Sequence, residues 1–251
     1  MTGTGFLASA QDTPLTVAAR RLTDGLTAFQ LRPVLLSRRH PGDIYTVQLS
    51  DFVTYTVAGT RITGRFTDTH ARALEHALAG HAVAAEVTAE RGARLALRTV
   101  RDVAGLADLV WKDLPDDCRA AHQLRTAFHA AGRALRTSPD GIHPHVADGA
   151  ITIGEIDVPQ ALLLLELLDG TPPRPTRGRC DCRYLQAIAD ALRGRLRTTT
   201  PRITVTAQPS CTSDSSEHII AVGPAPVEHI QSLTTRITTH PAQAHAAPET
   251  A

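Results

Sequence analysis

Two stretches of this 251-residue chain match each other without a gap at an offset of 90 residues, a self-match that restricts the fold more than any other feature. Gly59, Gly64, Ala71, Leu74, Leu78 and Gly80 fall on Gly149, Gly154, Ala161, Leu164, Leu168 and Gly170. These are the positions that a strand–turn–strand–helix unit needs: turn glycines, the buried face of a helix, and a glycine where the helix stops. Two related halves are therefore expected. The first-half strand at Ile44 has no counterpart in the second half, and the second half carries an extra helix.

The rest of the chain reads in the same alphabet. Pro14 to Gln30 places Leu15, Ala18, Ala19, Leu22 and Leu26 on one helical face. Ile44 to Leu49, Phe52 to Val57 and Arg61 to Phe66 alternate and predict a three-stranded meander turning at Gly59. A helix capped by Thr67 or Asp68 follows, then strands at Val83 to Thr88 and Arg94 to Val100, then a short helix from Val103 to Leu109. Pro115-Asp116-Asp117 opens the second half, with acids where a helix N-terminus favours them, and a helix continues from Cys118 to Arg136. Strands are expected at 142–146, 150–156, 203–207 and 218–222, with helices at 157–168, 182–197 and 227–237. The fold class is α+β: antiparallel meanders and hairpins with amphipathic helices packed on the sheet. Residues 13–112 form the first unit and 115–239 the second, which includes a Pro- and Arg-rich linker at 171–178. Residues 1–12 and 240–251 are expected as flexible tails.

Apolar residues make up 42% of the chain but aromatics only 4%, so the core is built from Ala, Leu, Val and Ile. Lys112 is the only lysine; this Arg, Ala and Thr usage fits a high-GC, actinobacterial genome. The formal net charge of +1 argues against a protein that coats nucleic acid with its whole surface. Four cysteines are too few for a disulfide scaffold. The N-terminal residues lack a basic and an apolar signal region, and the most apolar run, Ala161 to Leu168, is broken by Glu166. That run is far short of the roughly 18 apolar residues of a membrane span. A cytoplasmic protein without membrane contact is expected.

Charge is concentrated in one place. Arg174, Arg177, Arg179, Arg183, Arg193, Arg195, Arg197 and Arg202 face only Asp181 and Asp190 in their segment. Arg174, Arg177, Arg179, Arg183, Arg193 and Arg197 are the candidate residues for phosphate or partner binding, because the guanidinium fork matches phosphate and carboxylate oxygens. Against nucleic acid, Tyr184 is the only aromatic nearby on which a base could stack.

Other constellations are weaker. Cys180, Cys182, Cys211 and His218 are chemically a tetrahedral zinc set, but Cys-x-Cys fits no common finger spacing, and no metal is expected. Cys118 and His122 are one helical turn apart, where the helix N-terminus is expected to lower the thiol pKa. His143 and His145 share a strand face, and His70, His76 and His81 crowd one helix. Glycine-rich phosphate loops, nucleophile elbows, His-Glu-x-x-His and dinucleotide fingerprints are absent, so no catalytic residue and no cofactor is assigned.

The first-half order of helix, three strands, helix, two strands and helix resembles that of type III secretion chaperones and YbjN-like proteins. The resemblance is of element order alone and implies a fold, not a function. The expected function is a non-enzymatic protein-binding or adaptor protein, chaperone-like or regulatory, with a protein partner; a homodimer is compatible with it. The alternative is a nucleic-acid-binding accessory factor using Arg174 to Arg202. A second alternative is an enzyme whose site is assembled from dispersed His, Cys and Asp residues.

Overall fold

Helical stripes and short alternating runs form seven helices and eleven strands among the described residues of the computed structural model. It describes residues 13–29, 34–35, 45–50, 55–62, 66–90, 92–135, 142–174, 182–209 and 218–240. Contacts group the chain into two units, 1–115 and 116–251. No described helix is long and apolar enough to cross a membrane.

The first unit runs α1 (Pro14–Ala28), β1 (Val34–Leu35), β2 (Tyr45–Ser50), β3 (Tyr55–Val57), β4 (Thr60–Ile62), α2 (Asp68–Gly80), β5 (Ala85–Ala89), β6 (Gly92–Leu97) and α3 (Val100–Asp113). Thr13 caps α1 by accepting the Thr16 N–H, with Pro14 at the first helical position. Four strands form an antiparallel sheet in the order β1-β2-β6-β5. Register places Val47 beside Leu95 and Leu95 beside Val87, all buried, so one side of the sheet is core. The expected meander is not formed: β2 pairs with β1 and β6, while β3 and β4 make a separate hairpin. The physical reason is burial. Val47 and Leu49 find buried partners in Leu95 and Ala93, and β6 matches β2 over all six residues, whereas β3 and β4 are three residues long.

The second unit runs α4 (Asp116–Leu135), β7 (His145–Ala147), β8 (Ala150–Thr152), β9 (Gly154–Asp157), α5 (Val158–Leu167), α6 (Cys182–Leu196), β10 (Val205–Gln208), β11 (Ile219–Val222) and α7 (Val227–Thr238). Its sheet has the order β10-β11-β9, all antiparallel, and Leu124, Phe128, Ile156, Leu164, Ile188 and Leu233 share one buried cluster. Arg236 of α7 ties three helices together at that cluster's rim. Its guanidinium donates to the Leu168 carbonyl at 2.7 Å and to Thr199 Oγ1 at 3.3 Å.

The matched segments share a hairpin followed by a helix but part at the helix end, where α2 runs to Gly80 and α5 stops at Leu167, and before it, where residues 156–157 belong to β9 and 66–67 to no strand. Val57 pairs with Thr60 across a turn with φ of 52° at Ala58 and 74° at Gly59. Ala147 pairs with Ala150 across a turn with φ of 51° at Asp148 and 75° at Gly149. Both are turns with two left-handed residues, which suit the twist of a tight hairpin. A helix follows each hairpin, and each begins with a side chain three residues in that accepts the N-cap N–H. His70 Nδ1 accepts from Thr67 at 3.2 Å, and Gln160 Oε1 accepts from Asp157 at 2.9 Å. The helix stops differ from expectation: the left-handed residues are Ala82 and Asp169, not Gly80 and Gly170. The hairpin at Ala58, lacking an Asp of its own, is held from α3, where Asp113 Oδ2 accepts the Ala58 N–H at 2.8 Å.

In the first unit the entering and leaving helices, α1 and α3, pack together. Gly25 makes this approach close enough that a Cβ there would sit 2.9 Å from Val110 Cγ1 and 3.1 Å from Trp111 Nε1. Trp111 Nε1 donates to the Arg21 carbonyl at 3.0 Å. Gly25→Ala should therefore destabilise the protein by about 1–2 kcal/mol, overpacking outweighing the better helix propensity of alanine. Chemical denaturation would measure this; a variant as stable as the parent would show that the helices separate at no cost.

Candidate functional site

The basic segment is only partly a surface. Arg177, Arg179 and Cys180 lie outside the described residues, as does Cys211. Arg174 is exposed in the irregular stretch after α5. Arg183 on α6 and Arg197 in the turn just after it are exposed, each seven residues from Asp190. Arg193 is committed: its guanidinium donates to Asp190 Oδ1 on its own helix and to the Val205 carbonyl of β10.

The Val205 carbonyl faces outward from the sheet. Gly223 N–H donates to the Thr204 carbonyl at 2.7 Å, so the alternation of an antiparallel ladder turns the Val205 backbone groups away from β11. β10 is an edge strand, and an exposed edge is a template for pairing with another chain. Arg193 occupies that edge with a charged side chain. The guanidinium read from sequence as a phosphate contact is a fastener between α6 and β10 and a plug on the sheet edge.

β5 is one of the two edge strands of the first unit's sheet, β1 being the other. The Glu90 N–H donates to the Gly92 carbonyl at 3.0 Å, and by the same alternation the outward groups of β5 belong to Ala85, Val87 and Ala89. Among the described residues no strand pairs with this edge and no side chain donates to it. A cleft of about 430 Å³ opens at the start of β5, lined by Glu75 and Ala79 of α2, by Val83, Ala84, Ala85 and Glu86, and by Arg98. Its apolar floor is flanked by charge. Arg98 Nη2 lies 3.4 Å from Glu86 Oε2, both exposed, whereas Glu75 makes no hydrogen bond or ion pair to another described residue.

Asp102 fixes where this edge begins. It is 5% exposed; Oδ1 accepts the Ala84 N–H at 2.8 Å and Oδ2 accepts the Thr99 N–H at 3.0 Å and the Thr99 hydroxyl. Burial pushes its pKa up most strongly among single causes, but the hydrogen bonds from Thr99 and Ala84 together hold it below its ordinary value of 3.8. The carboxylate thus stays ionised and caps α3 while holding the strand entry.

The remaining candidates do not converge. Cys118 is the reverse of the expected activated thiol: burial, then the neighbouring Asp117 carboxylate, pushes it up to about 11. Cys182 opens α6 and is half-buried, and His218 precedes β11 with a buried Nδ1. His143 and His145 are exposed, with His145 Nδ1 3.0 Å from the His143 carbonyl oxygen, and His70 serves the cap of α2. Among the described residues no group of three His, Cys, Asp or Glu side chains is placed to hold a metal ion. Sequence reasoning passed over Glu75, Glu86, Arg98 and Asp102; the local signals were the alternation of β5 for Glu86 and the Thr99-x-x-Asp102 capping box for Asp102. No family model matches the chain, nor does any curated protein or solved structure.

Two outcomes follow from this geometry. Arg193→Ala should destabilise the second unit by about 1–3 kcal/mol through loss of charge-assisted bonds, while Arg197→Ala should stay within about 0.5 kcal/mol of the parent. Urea melts of the two variants compare them directly, and equal melts would remove the fastener role of Arg193. For Asp102, a depressed native pKa means stability that is present above the ordinary carboxylate range and lost as pH falls through the lower native value. Acidification below about pH 4 should therefore destabilise the protein, and Asp102→Asn should flatten that acid limb in a pH series of thermal melts.

Proposed function

We propose that this protein is a non-enzymatic protein-binding module, of adaptor or chaperone-like type, that takes an extended segment of a protein partner along the outer edge of β5. The supporting observation is the contrast between the β10 and β5 edges. Arg193 occupies the outward Val205 carbonyl of β10, whereas β5 keeps the outward backbone groups of Ala85, Val87 and Ala89 beside a cleft with an apolar floor. Strand addition draws its affinity from main-chain hydrogen bonds and its specificity from pockets beside the edge. Both are at hand here.

The alternative of a nucleic-acid accessory factor draws on Arg183 and Arg195 of α6 and on Arg197 just after it, exposed side chains that make no ion pair with another described residue. Asp190 sits midway between Arg183 and Arg197, and a carboxylate there weakens a phosphate track. The strand-docking reading is favoured for that reason.

Ala89→Pro tests it. Proline removes an outward N–H without touching a bond to β6, and edge positions tolerate it. Extended peptides selected on the wild-type chain from a random displayed library should perturb the amide resonances of Ala85, Val87 and Ala89. They should bind Ala89→Pro at least about tenfold more weakly, the equivalent of one lost hydrogen bond or more. The variant should melt within a few degrees of the parent. Peptides that perturb only other residues, or bind the variant equally, reject the proposal.

A further inference from the structure

The chemistry around β5 says more about the docked segment than its backbone shape. Side chains along the strand alternate: Ala85, Val87 and Ala89 turn to the core side, and Glu86 and Thr88 to the opposite side. Glu86 is exposed on the edge strand itself, Glu90 is exposed just past its end, and Glu75 faces the cleft from α2. The cations lie one strand further in, on or beside β6. Arg94 is 3.6 Å from Glu90 and Arg98 is 3.4 Å from Glu86. Glu75 has no such neighbour among the described residues. Among the described residues, the charged groups nearest the outer edge are therefore carboxylates.

We infer that the partner segment carries a lysine or arginine in register with Glu86, its cationic head at the Glu86 carboxylate, in the cleft that Glu75 also lines. This rests on the strand-docking reading and adds the chemical class of the ligand. A residue directly opposite Glu86 on an added strand would have its Cβ about 5 Å away, within reach of an ion pair. The existing Arg98–Glu86 pair does not compete strongly, because both side chains are more than half exposed, at 66% and 58%. Arg98 also lies on the β6 side of Glu86, leaving the outer side to the ligand. A second copy of this chain fits the edge poorly. Two β5 strands paired antiparallel about Val87 would line up Glu86 and Glu90 of both copies along one seam, four carboxylates without a cation from either edge strand. Nucleic acid is repelled by the same groups.

The test uses the full chain and three seven-residue peptides, Thr-Val-Thr-X-Thr-Val-Thr with X as Lys, Gln or Glu, followed by amide chemical shifts. The Lys peptide should perturb Ala85, Val87 and Ala89 and bind about three- to tenfold more tightly than the Glu peptide, with Gln between. That spread should shrink as salt is raised and should vanish in the Glu75→Gln, Glu86→Gln double variant, which keeps the edge backbone intact. Equal affinity for all three peptides at β5 overturns the cationic preference while leaving strand docking in place. Shifts centred away from β5 for every peptide overturn both. A concentration-dependent dimer in sedimentation, abolished by Ala89→Pro, would make a second copy the occupant and overturn the foreign segment.

Discussion

Each unit is closed by its own ends, and the packing of entering helix on leaving helix is the constraint on which the rest depends. In the first unit α1 meets α3 where Gly25 leaves room for Val110 and Trp111, and the Trp111–Arg21 hydrogen bond sets the helices along one another. In the second unit α4 meets α7, and Arg236 on α7 holds the C-terminal ends of α5 and α6. With few aromatics, such a core gains stability from many small contacts and not from a few large side chains, so close approach of the elements matters more than usual. The sheets are small, three and four strands, and without these helix pairs they would leave their apolar sides in water.

That closure covers sheet faces but not sheet edges, and the two units treat their edges differently. In the second, a guanidinium from α6 reaches the outward carbonyl of β10 and is itself held by Asp190. In the first, the corresponding strand begins at a buried carboxylate, Asp102, that fixes its entry and leaves its outer row uncovered by described residues. One edge of the second unit's sheet is thus charged, whereas the β5 edge of the first lies beside a cleft with an apolar floor. The clustered arginines of the second unit thus have a structural share as well as a surface one.

Much of the helical architecture was legible because helix periodicity is local. Leu124, Phe128 and Ala131, or Leu185, Ile188, Leu192 and Leu196, declare a buried stripe without knowledge of what covers it. Strand pairing was not legible in the same way. Alternation in Tyr45 to Ser50 states that one face is buried but not that the partner is Gly92 to Leu97 rather than the nearer β3. The candidate site failed in sequence for the same reason. Arg193 looks like any solvent-facing arginine until α6 is laid against Val205, twelve residues away, and Asp102 looks like a helix cap until Ala84 is brought to it from eighteen residues back. Thiol activation at Cys118 was argued from the helix terminus alone; burial and Asp117 carry more weight.

The hairpin turns at Ala58-Gly59 and Asp148-Gly149 share their backbone angles but not their source of support. Asp148 is a residue type that visits the left-handed region readily, so the second turn can form from its own few residues. Ala58 has no such preference, and its N–H is held by Asp113, fifty-five positions along the chain. A bond of that span requires a long loop to close before it returns any free energy. The two hairpins therefore belong to different moments of folding: one is a local seed from which the second unit can assemble, and the other is completed only once α3 is in place.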